Sequence, residues 1–319
     1  MKNIAVSSPS FSKNKILVEE LIKSFPDSIV KINKGGEHLK GDSLVDFLKD
    51  SEGIIIGTER FNNDIIKNLP NLKIVSKYGV GVDNVDIQFL KERNISFRWK
   101  GGVNRRSVSE MTLGFMLSLA RNLFYTNSLL KSGEWLKNGG YQLSGKKIGI
   151  IGCGYIGEDL IRLLQPFHCE IQIYDILDKS YLESCYGVRQ VELDILITES
   201  DIISIHTPLT NLTKNLVNNT FLSKMKKNSY LINTARGGIV VENDLKNYLQ
   251  KFLNDDLSYT LCGSALDVFS MEPNEDSELL NLKNLYCTPH IGGNAFEAVL
   301  SMGRSAILGL SDNSMEYVL

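Results

Sequence analysis

The chain has 319 residues, with 35 Lys and Arg against 37 Asp and Glu and a formal net charge of -2. At roughly 150 residues per domain this length suggests about two domains rather than one small binding module, and the near-balanced charge offers no field that would concentrate nucleic acid. Hydrophobic residues at 43% and charged residues at 23% suit a chain that buries a core and exclude a disordered one.

The N-terminal segment MKNIAVSSPSF lacks an apolar run of signal-peptide length, and the longest apolar-rich stretch, Met111 to Ala120, is about half of what a bilayer span needs. A cytoplasmic protein without a membrane segment is expected. The five cysteines (Cys153, Cys169, Cys185, Cys262, Cys287) are odd in number and hold no CxxC pair, which argues against a disulfide framework and a zinc knuckle. Reduced thiols and no metal are expected.

In chain order, short β-rich apolar runs come first: Ile4 to Val6, Ile29 to Ile32, Gly53 to Ile56, Ile74 to Ser76 and Ile95 to Phe97. Segments of 3.6-residue period lie between them, such as Ile16, Leu17, Glu20, Leu21 and Ile65, Ile66, Leu69, which is βαβ alternation. Next, Arg106 to Leu130 carries apolar residues on more than one helix face and predicts a helix buried on several sides, as a core helix between two units or as a subunit interface. A second series follows at Lys147 to Ile151, Glu170 to Tyr174, Ile202 to Ile205, Tyr230 to Asn233, Cys262 to Leu266 and Leu285 to Cys287. Continuous apolar strands belong to parallel sheets buried on both faces, so the expected fold class is α/β with two doubly wound units. After Ile291, the apolar residues Ala295, Phe296, Ala298, Val299, Ile307 and Leu308 read as a terminal helix that crosses back to the first unit.

The β-run from Lys147 ends in Gly152-Cys153-Gly154-Tyr155-Ile156-Gly157 and opens an amphipathic segment with Leu160, Ile161, Leu163 and Leu164. Gly152 permits a tight turn, Gly154 lets a pyrophosphate approach the backbone, and Gly157 allows close packing of helix on strand. The helix N-terminus offers free N–H groups to the phosphates. The next strand ends at Asp175, 18 residues after Gly157, where a carboxylate would bond a ribose diol. It would repel a 2′-phosphate, so NAD is favoured over NADP.

Three polar groups stand at strand ends in the second series: Arg236 in Asn233-Thr234-Ala235-Arg236-Gly237-Gly238, Glu272 in the stretch Asp267 to Pro273, and His290 in Thr288-Pro289-His290-Ile291-Gly292-Gly293. Hydride transfer to a 2-keto acid needs a cation for the carboxylate and carbonyl and a proton donor for the developing alkoxide. Arg and His are the suitable types, and a glutamate beside the imidazole would hold the ring in place.

Through nearly its whole length the chain resembles the D-2-hydroxyacid dehydrogenase family, on the phosphoglycerate dehydrogenase side. The resemblance is carried by Tyr78-Gly79-Val80-Gly81-Val82-Asp83-Asn84-Val85-Asp86, the Gly152 to Gly157 fingerprint, His206-Thr207-Pro208-Leu209-Thr210, and the Arg236, Asp267 to Pro273 and Pro289-His290 motifs. It implies two Rossmann-like domains with a cleft between them: residues 1-100 as substrate domain, completed by a C-terminal helix over 292-319, and residues 101-291 as NAD-binding domain. It implies Arg236, Glu272 and His290 as the catalytic set. Cofactor contacts would come from Gly152, Gly154, Tyr155, Ile156, Gly157, Asp175, Thr207, Pro208, Thr234, Ala235, Asp267, His290 and Gly292, with Asp267 at the nicotinamide amide. Substrate contacts would come from Lys77, Tyr78, Gly79, Val80 and Gly81 together with Arg236, and a homodimer would form through the NAD-binding domain.

Lys77 departs from the arginine common in phosphoglycerate dehydrogenases and places a point charge where a bidentate fork would bind phosphate. Arg105 and Arg106 are other cations that could serve. No regulatory domain is expected after His290. The expected activity is NAD-dependent interconversion of a D-2-hydroxy acid and its 2-keto acid, phosphoglycerate dehydrogenase-like, with a hydroxypyruvate or glyoxylate reductase as the alternative. An NAD(H)-sensing module like the corepressors built on this scaffold, without turnover, is the alternative from another class.

Overall fold

The computed structural model describes residues 1–253 and 261–311. The chain opens with β1 (Asn3–Val6), α1 (Pro9–Lys13), α2 (Lys15–Ser24), β2 (Ile29–Ile32), α3 (Asp42–Leu48), β3 (Gly53–Ile56), α4 (Asn63–Ile66), β4 (Ile74–Lys77), α5 (Ile87–Glu92) and β5 (Ser96–Arg98). It continues through α6 (Arg105–Ala120), α7 (Leu123–Lys131), β6 (Lys147–Ile151), α8 (Tyr155–Leu164), β7 (Glu170–Tyr174), α9 (Tyr181–Tyr186), β8 (Arg189–Gln190), α10 (Leu193–Glu199) and β9 (Ile202–Ile205). The last part holds α11 (Asn219–Lys224), β10 (Ser229–Asn233), α12 (Glu242–Leu253), β11 (Leu261–Leu266), α13 (Ser277–Leu280), β12 (Leu285–Cys287) and α14 (Phe296–Gly309). Two compact units result, residues 1–104 together with α14, and residues 105–294.

The first unit is a five-stranded parallel sheet in the order β2-β1-β3-β4-β5. One core contains Leu44, Leu48, Ile66 and Leu90 from α3, α4 and α5. Another contains Leu17 and Leu21 of α2 with Met302, Ala306 and Ile307 of α14. The terminal helix is tied down by polar bonds as well. Ser76 Oγ donates to the Ala306 carbonyl at 2.7 Å, and Arg304 grips the Glu20 carboxylate at 2.8 and 3.0 Å. That hydrogen bond holds the Glu20 carboxyl below its ordinary range.

The second unit is a seven-stranded parallel sheet in the order β12-β11-β10-β9-β6-β7-β8. Phe115, Met116 and Leu119 of α6 join Leu160, Ile161 and Leu164 of α8 in one core with Ile148 and Ile150. Ile151 belongs to the other, with Leu196 and Ile197 of α10, Leu222 of α11 and Leu245 and Leu249 of α12. The continuous apolar strands are thus explained by burial on both faces. Strand β8 was not expected from the sequence: Arg189 and Gln190 are both exposed and carry no apolar signal, yet they pair with Gln172 and Ile173.

Two expectations are corrected. Arg106 to Leu130 is not one helix, because Asn122 adopts φ 55° and the left-handed residue ends α6 and re-aims the chain into α7. None of the α7 residues is buried, so its apolar side chains are not enclosed on several sides within this chain. The terminal helix begins at Phe296, after the extended Ala295, rather than at 292, and residues 312–319 of the expected span lie outside the described residues. Among the described residues no helix is long and apolar enough to cross a membrane.

Leu160 is fully buried in the α6–α8 core. Leu160→Ala is expected to lower unfolding stability by about 2–5 kcal/mol, read as a fall in the urea midpoint at unchanged slope; a loss well below that range would mean that the site collapses around the cavity.

Candidate active site

After β6 the chain turns at Gly152, whose φ of 86° is a region L side chains avoid. A Cβ there would also lie 2.6 Å from Thr207 Cγ2 and 2.9 Å from the His206 backbone, and one on Gly157 would lie 2.6 Å from the Gly152 carbonyl oxygen. At Gly154 a Cβ would meet nothing within 4 Å. Strand, turn and helix therefore close tightly while the mouth of the loop stays open. Gly154 is the N-cap of α8 and supplies no side-chain cap, so the first-turn N–H groups, those of Tyr155 and Ile156 among them, lack intrahelical acceptors. Together with the helix dipole they form an anion site.

Asp175 follows β7, and its two oxygens accept from the Cys153 N–H at 2.7 Å and the Leu177 N–H at 2.9 Å. The carboxylate is fixed at the edge of the glycine loop and keeps lone pairs for further donors. Across the loop, beyond β9, Thr207 Oγ1 is buried with no hydrogen-bond partner, and Pro208 is exposed. An unsatisfied buried hydroxyl costs about 1–3 kcal/mol. An open phosphate cradle, a carboxylate and a waiting hydroxyl around one turn fit a dinucleotide. The thiol of Cys153 takes no part as a thiolate, since burial pushes it up to about 12.

The second cluster starts at the end of β10. Asn233 Oδ1 accepts from the Ala235 N–H at 3.0 Å and its Nδ2 donates to the Arg236 carbonyl at 2.9 Å, so this side chain shapes the Thr234 to Arg236 turn. Thr234 pairs with Thr112 at 3.0 Å in the core. Arg236 is half-buried, and its Nη1 donates to the Ala235 carbonyl at 2.8 Å. A Cβ on Gly237 would sit 1.8 Å from the Phe269 carbonyl oxygen, so only glycine lets this turn press on the loop after β11.

In that loop Phe269 N–H donates to Glu272 Oε1 at 3.0 Å, and Glu272 Oε2 meets His290 Nδ1 at 2.8 Å. The pair is open to solvent, with side chains 38% and 47% exposed, and no described group occupies His290 Nε2. His290 has φ 52°, a left-handed conformation held by its N–H, which donates to the carbonyls of Asp267 at 2.8 Å and Thr288 at 3.0 Å. Asp267 is buried and accepts from Thr288 Oγ1 at 2.6 Å and from the N–H groups of Ile291 at 2.8 Å and Gly292 at 2.7 Å. The structure therefore brings Asp267, Glu272, His290 and Gly292 together and engages both Asp267 oxygens with protein donors.

Of the four histidines, His206 lies closest to the glycine loop, but its Nε2 bonds Ser204 at 2.8 Å and burial pushes it down to about 3. It is neutral and cannot deliver a proton. His168 precedes β7, at the far edge of the sheet, and His38 belongs to the first unit.

Lys77, Tyr78, Gly79, Val80 and Gly81 form the end of β4 and the loop after it, within the first unit. Lys77 is buried and donates to the Gly57 carbonyl. Tyr78 packs edge-on against Phe11, with ring centroids 5.4 Å apart, and Val80 offers its carbonyl to Trp99 Nε1 at 3.0 Å. Arg106 pairs with the buried Asp159 at 2.9 Å, bridging α6 to α8.

Sequence reasoning missed the supports of the site. Ser107 Oγ donates to the Gly292 carbonyl at 2.5 Å, Thr112 anchors Thr234, and Glu242 of α12 accepts from the Ser270 N–H at 2.5 Å and Asn274 Nδ2 at 3.1 Å. Only Asn233 carried a signal, as part of the Arg236 motif.

The sequence profile of D-isomer specific 2-hydroxyacid dehydrogenases, NAD binding domain, matches residues 113–292. A hydroxypyruvate reductase of Thermotoga maritima is 36% identical over 273 residues, covering 84% of this chain and 86% of the relative. A D-3-phosphoglycerate dehydrogenase of Methanocaldococcus jannaschii is 33% identical over 299 residues, covering 91% of this chain and 55% of the relative. The crystal structure of an NAD-dependent formate dehydrogenase from Staphylococcus aureus in complex with NAD aligns with a TM-score of 0.79 at 28% identity, over 100% of this chain and 99% of that one. The chain belongs to the D-isomer specific 2-hydroxyacid dehydrogenases, NAD-dependent oxidoreductases.

Proposed function

We propose that the chain interconverts a D-2-hydroxy acid and its 2-keto acid with His290 as general acid/base, Glu272 as its partner and Arg236 as the substrate-binding cation. The observation that carries this reading is the 2.8 Å contact between His290 Nδ1 and Glu272, on a solvent-facing turn beyond the carboxyl ends of β11 and β12. Bound NAD supplies or accepts the hydride at substrate carbon 2. Glu272 fixes the imidazole through Nδ1, which leaves Nε2 to give a proton to the alkoxide in reduction or take it in oxidation. The Arg236 fork binds the carboxylate and stabilises charge developing on the carbonyl oxygen.

On the cofactor side, Gly152, Gly154, Tyr155, Ile156 and Gly157 serve the pyrophosphate and Asp175 the ribose diol. Thr207, Pro208, Thr234, Ala235 and Gly292 line the pocket, with Asp267 at the nicotinamide end. Residues 101–291 would act as the NAD-binding domain and residues 1–100 with the terminal helix as the substrate domain, whose Lys77 to Gly81 loop receives the substrate carboxylate on backbone N–H groups. One relative acts on hydroxypyruvate and another on 3-phosphoglycerate, by their names. Lys77, a point charge in place of a fork, favours the unphosphorylated acid.

The protein is further proposed to be a cytoplasmic homodimer. What supports the dimer is the apolar side of α7 and the chain after it, where Leu123 and Phe124 are each 49% exposed, Leu130 is 56% exposed and Trp135 is 77% exposed, close together in sequence.

Replacing His290 with alanine is expected to lower kcat by about 10²–10⁴, and Arg236→Ala to lower kcat/KM by at least about 10², with NADH binding retained in both; near-wild-type turnover of a 2-keto acid by either variant would sink its assignment. Asp175→Ala should weaken NADH while sparing NADPH, and an unmoved preference would remove the ribose-carboxylate argument. Light scattering should give twice the 35.7 kDa chain mass, falling to one chain in a Leu123→Glu/Phe124→Glu variant; a monomeric wild type would end the dimer proposal.

A further inference from the structure

In the first unit β2 flanks β1 on one side and β3 on the other, so the strand order reverses between β1 and β3. Ligands of open parallel sheets bind beyond the carboxyl ends of such a pair. Polar side chains converge there. Glu59, just after β3, is 5% exposed; its Oε2 accepts from the Gly57 N–H at 2.5 Å, while Oε1 is buried with no partner. Lys77, also 5% exposed, donates from Nζ to the Gly57 carbonyl. Asn84 donates to that carbonyl at 3.1 Å and to the Glu59 carbonyl at 2.6 Å. A Cβ on Gly57 would lie 2.7 Å from Ser8 Oγ and 3.3 Å from Glu59 Oε2, and one on Gly79 would lie 3.6 Å from Lys77 Nζ. The Gly57 to Glu59 turn is thereby stitched to the glycine loop after β4.

A buried carboxylate with one bare oxygen is costly, and the fold does not require it. One oxygen suffices to accept from Gly57, and a neutral glutamine amide could do that. The negative charge has a use only against other charge, and the ammonium of Lys77 hangs on the same residue, Gly57. We propose that Glu59 is a specificity residue of the substrate-side loop: it offsets the Lys77 charge and adds repulsion of its own, so that the loop takes a 2-keto acid with an uncharged distal group and rejects one ending in phosphate. This rests on the reading of the Lys77 to Gly81 loop as the substrate side.

The test compares kcat/KM for NADH oxidation with hydroxypyruvate and with 3-phosphohydroxypyruvate. Wild type should favour the unphosphorylated acid. Glu59→Gln should move the ratio toward the phosphorylated one by roughly tenfold or more, the scale of removing one like charge at several Å in an effective dielectric near 20. Adding Lys77→Met to Glu59→Gln should abolish that gain. A merely structural role would lower both rates and leave the ratio where it was, which overturns the inference. A wild type that uses both acids equally well also overturns it, and needs no variant to fold. If only a shorter acid is reduced, the ratio is read instead from inhibition by glycerate and 3-phosphoglycerate. Turnover with an unmoved ratio defeats this inference alone, whereas a wild type inactive with every 2-keto acid defeats the reading of the loop and this inference with it.

Discussion

Asp267 accepts hydrogen bonds from Thr288 Oγ1 and from the N–H groups of Ile291 and Gly292, while its own carbonyl accepts the His290 N–H. One buried side chain thus fixes a five-residue turn, and the proposed chemistry depends on that turn. Burying a carboxylate costs several kcal/mol (~) before compensation, and charge-assisted bonds return roughly 1.5–3 kcal/mol each, so three of them can hold it. The same turn carries His290 in a left-handed conformation, which costs on the order of 1–3 kcal/mol. Such a conformation persists because the surroundings over-determine it. With the backbone fixed, the imidazole needs only one further bond, from Glu272 to Nδ1, to have its orientation set.

Glu272 is placed by a second chain of constraints. Its Oε1 accepts from Phe269 N–H, the Phe269 carbonyl lies against Gly237, and Glu242 holds the Ser270 N–H. The Arg236 turn is shaped by Asn233 and backed by the Thr112 and Thr234 hydroxyls. These are the ends of β10, β11 and β12, three neighbours in one sheet. Parallel strands deliver their carboxyl ends to the same edge, so residues far apart in sequence meet with little loop between them. The proposed cofactor site lies at the same edge, at the reversal of strand order between β6 and β9, where Gly152 leaves no room for a Cβ against Thr207.

Much of this was legible in the sequence, for identifiable reasons. Apolar strand runs report burial on both faces, and the glycine loop declares its turn, its open mouth and its tight packing through the positions of Gly152, Gly154 and Gly157. The Arg236, Glu272 and His290 motifs stand at the ends of strands that periodicity alone locates. What escaped detection acts across long sequence separations or through the backbone. Ser107 reaches Gly292 from a helix, and nothing in a helical serine announces that. The break at Asn122 depends on one residue adopting φ 55°, and β8 is made of two exposed polar residues. Glu59 reads as a loop acid in Gly57-Thr58-Glu59-Arg60, a type normally exposed. Its side chain instead turns back onto the Gly57 N–H, and its carbonyl accepts from Asn84, 25 residues along the chain.

Buried carboxylates of the chain differ in how fully they are satisfied. Asp267 has three donors on its two oxygens, whereas Asp159 has Arg106 on one oxygen and keeps the other without a partner. Satisfied networks give rigidity, which suits groups that must hold one geometry for any substrate of the class. In the first unit Glu59 keeps an oxygen without a donor beside Lys77. An uncommitted charge in a buried setting contributes little to stability and a great deal to discrimination, because a ligand of the wrong charge meets it at low dielectric. Substitution at Glu59 can therefore alter which acid is accepted while the Asp267 turn and the His290–Glu272 pair, held by other residues, keep their geometry.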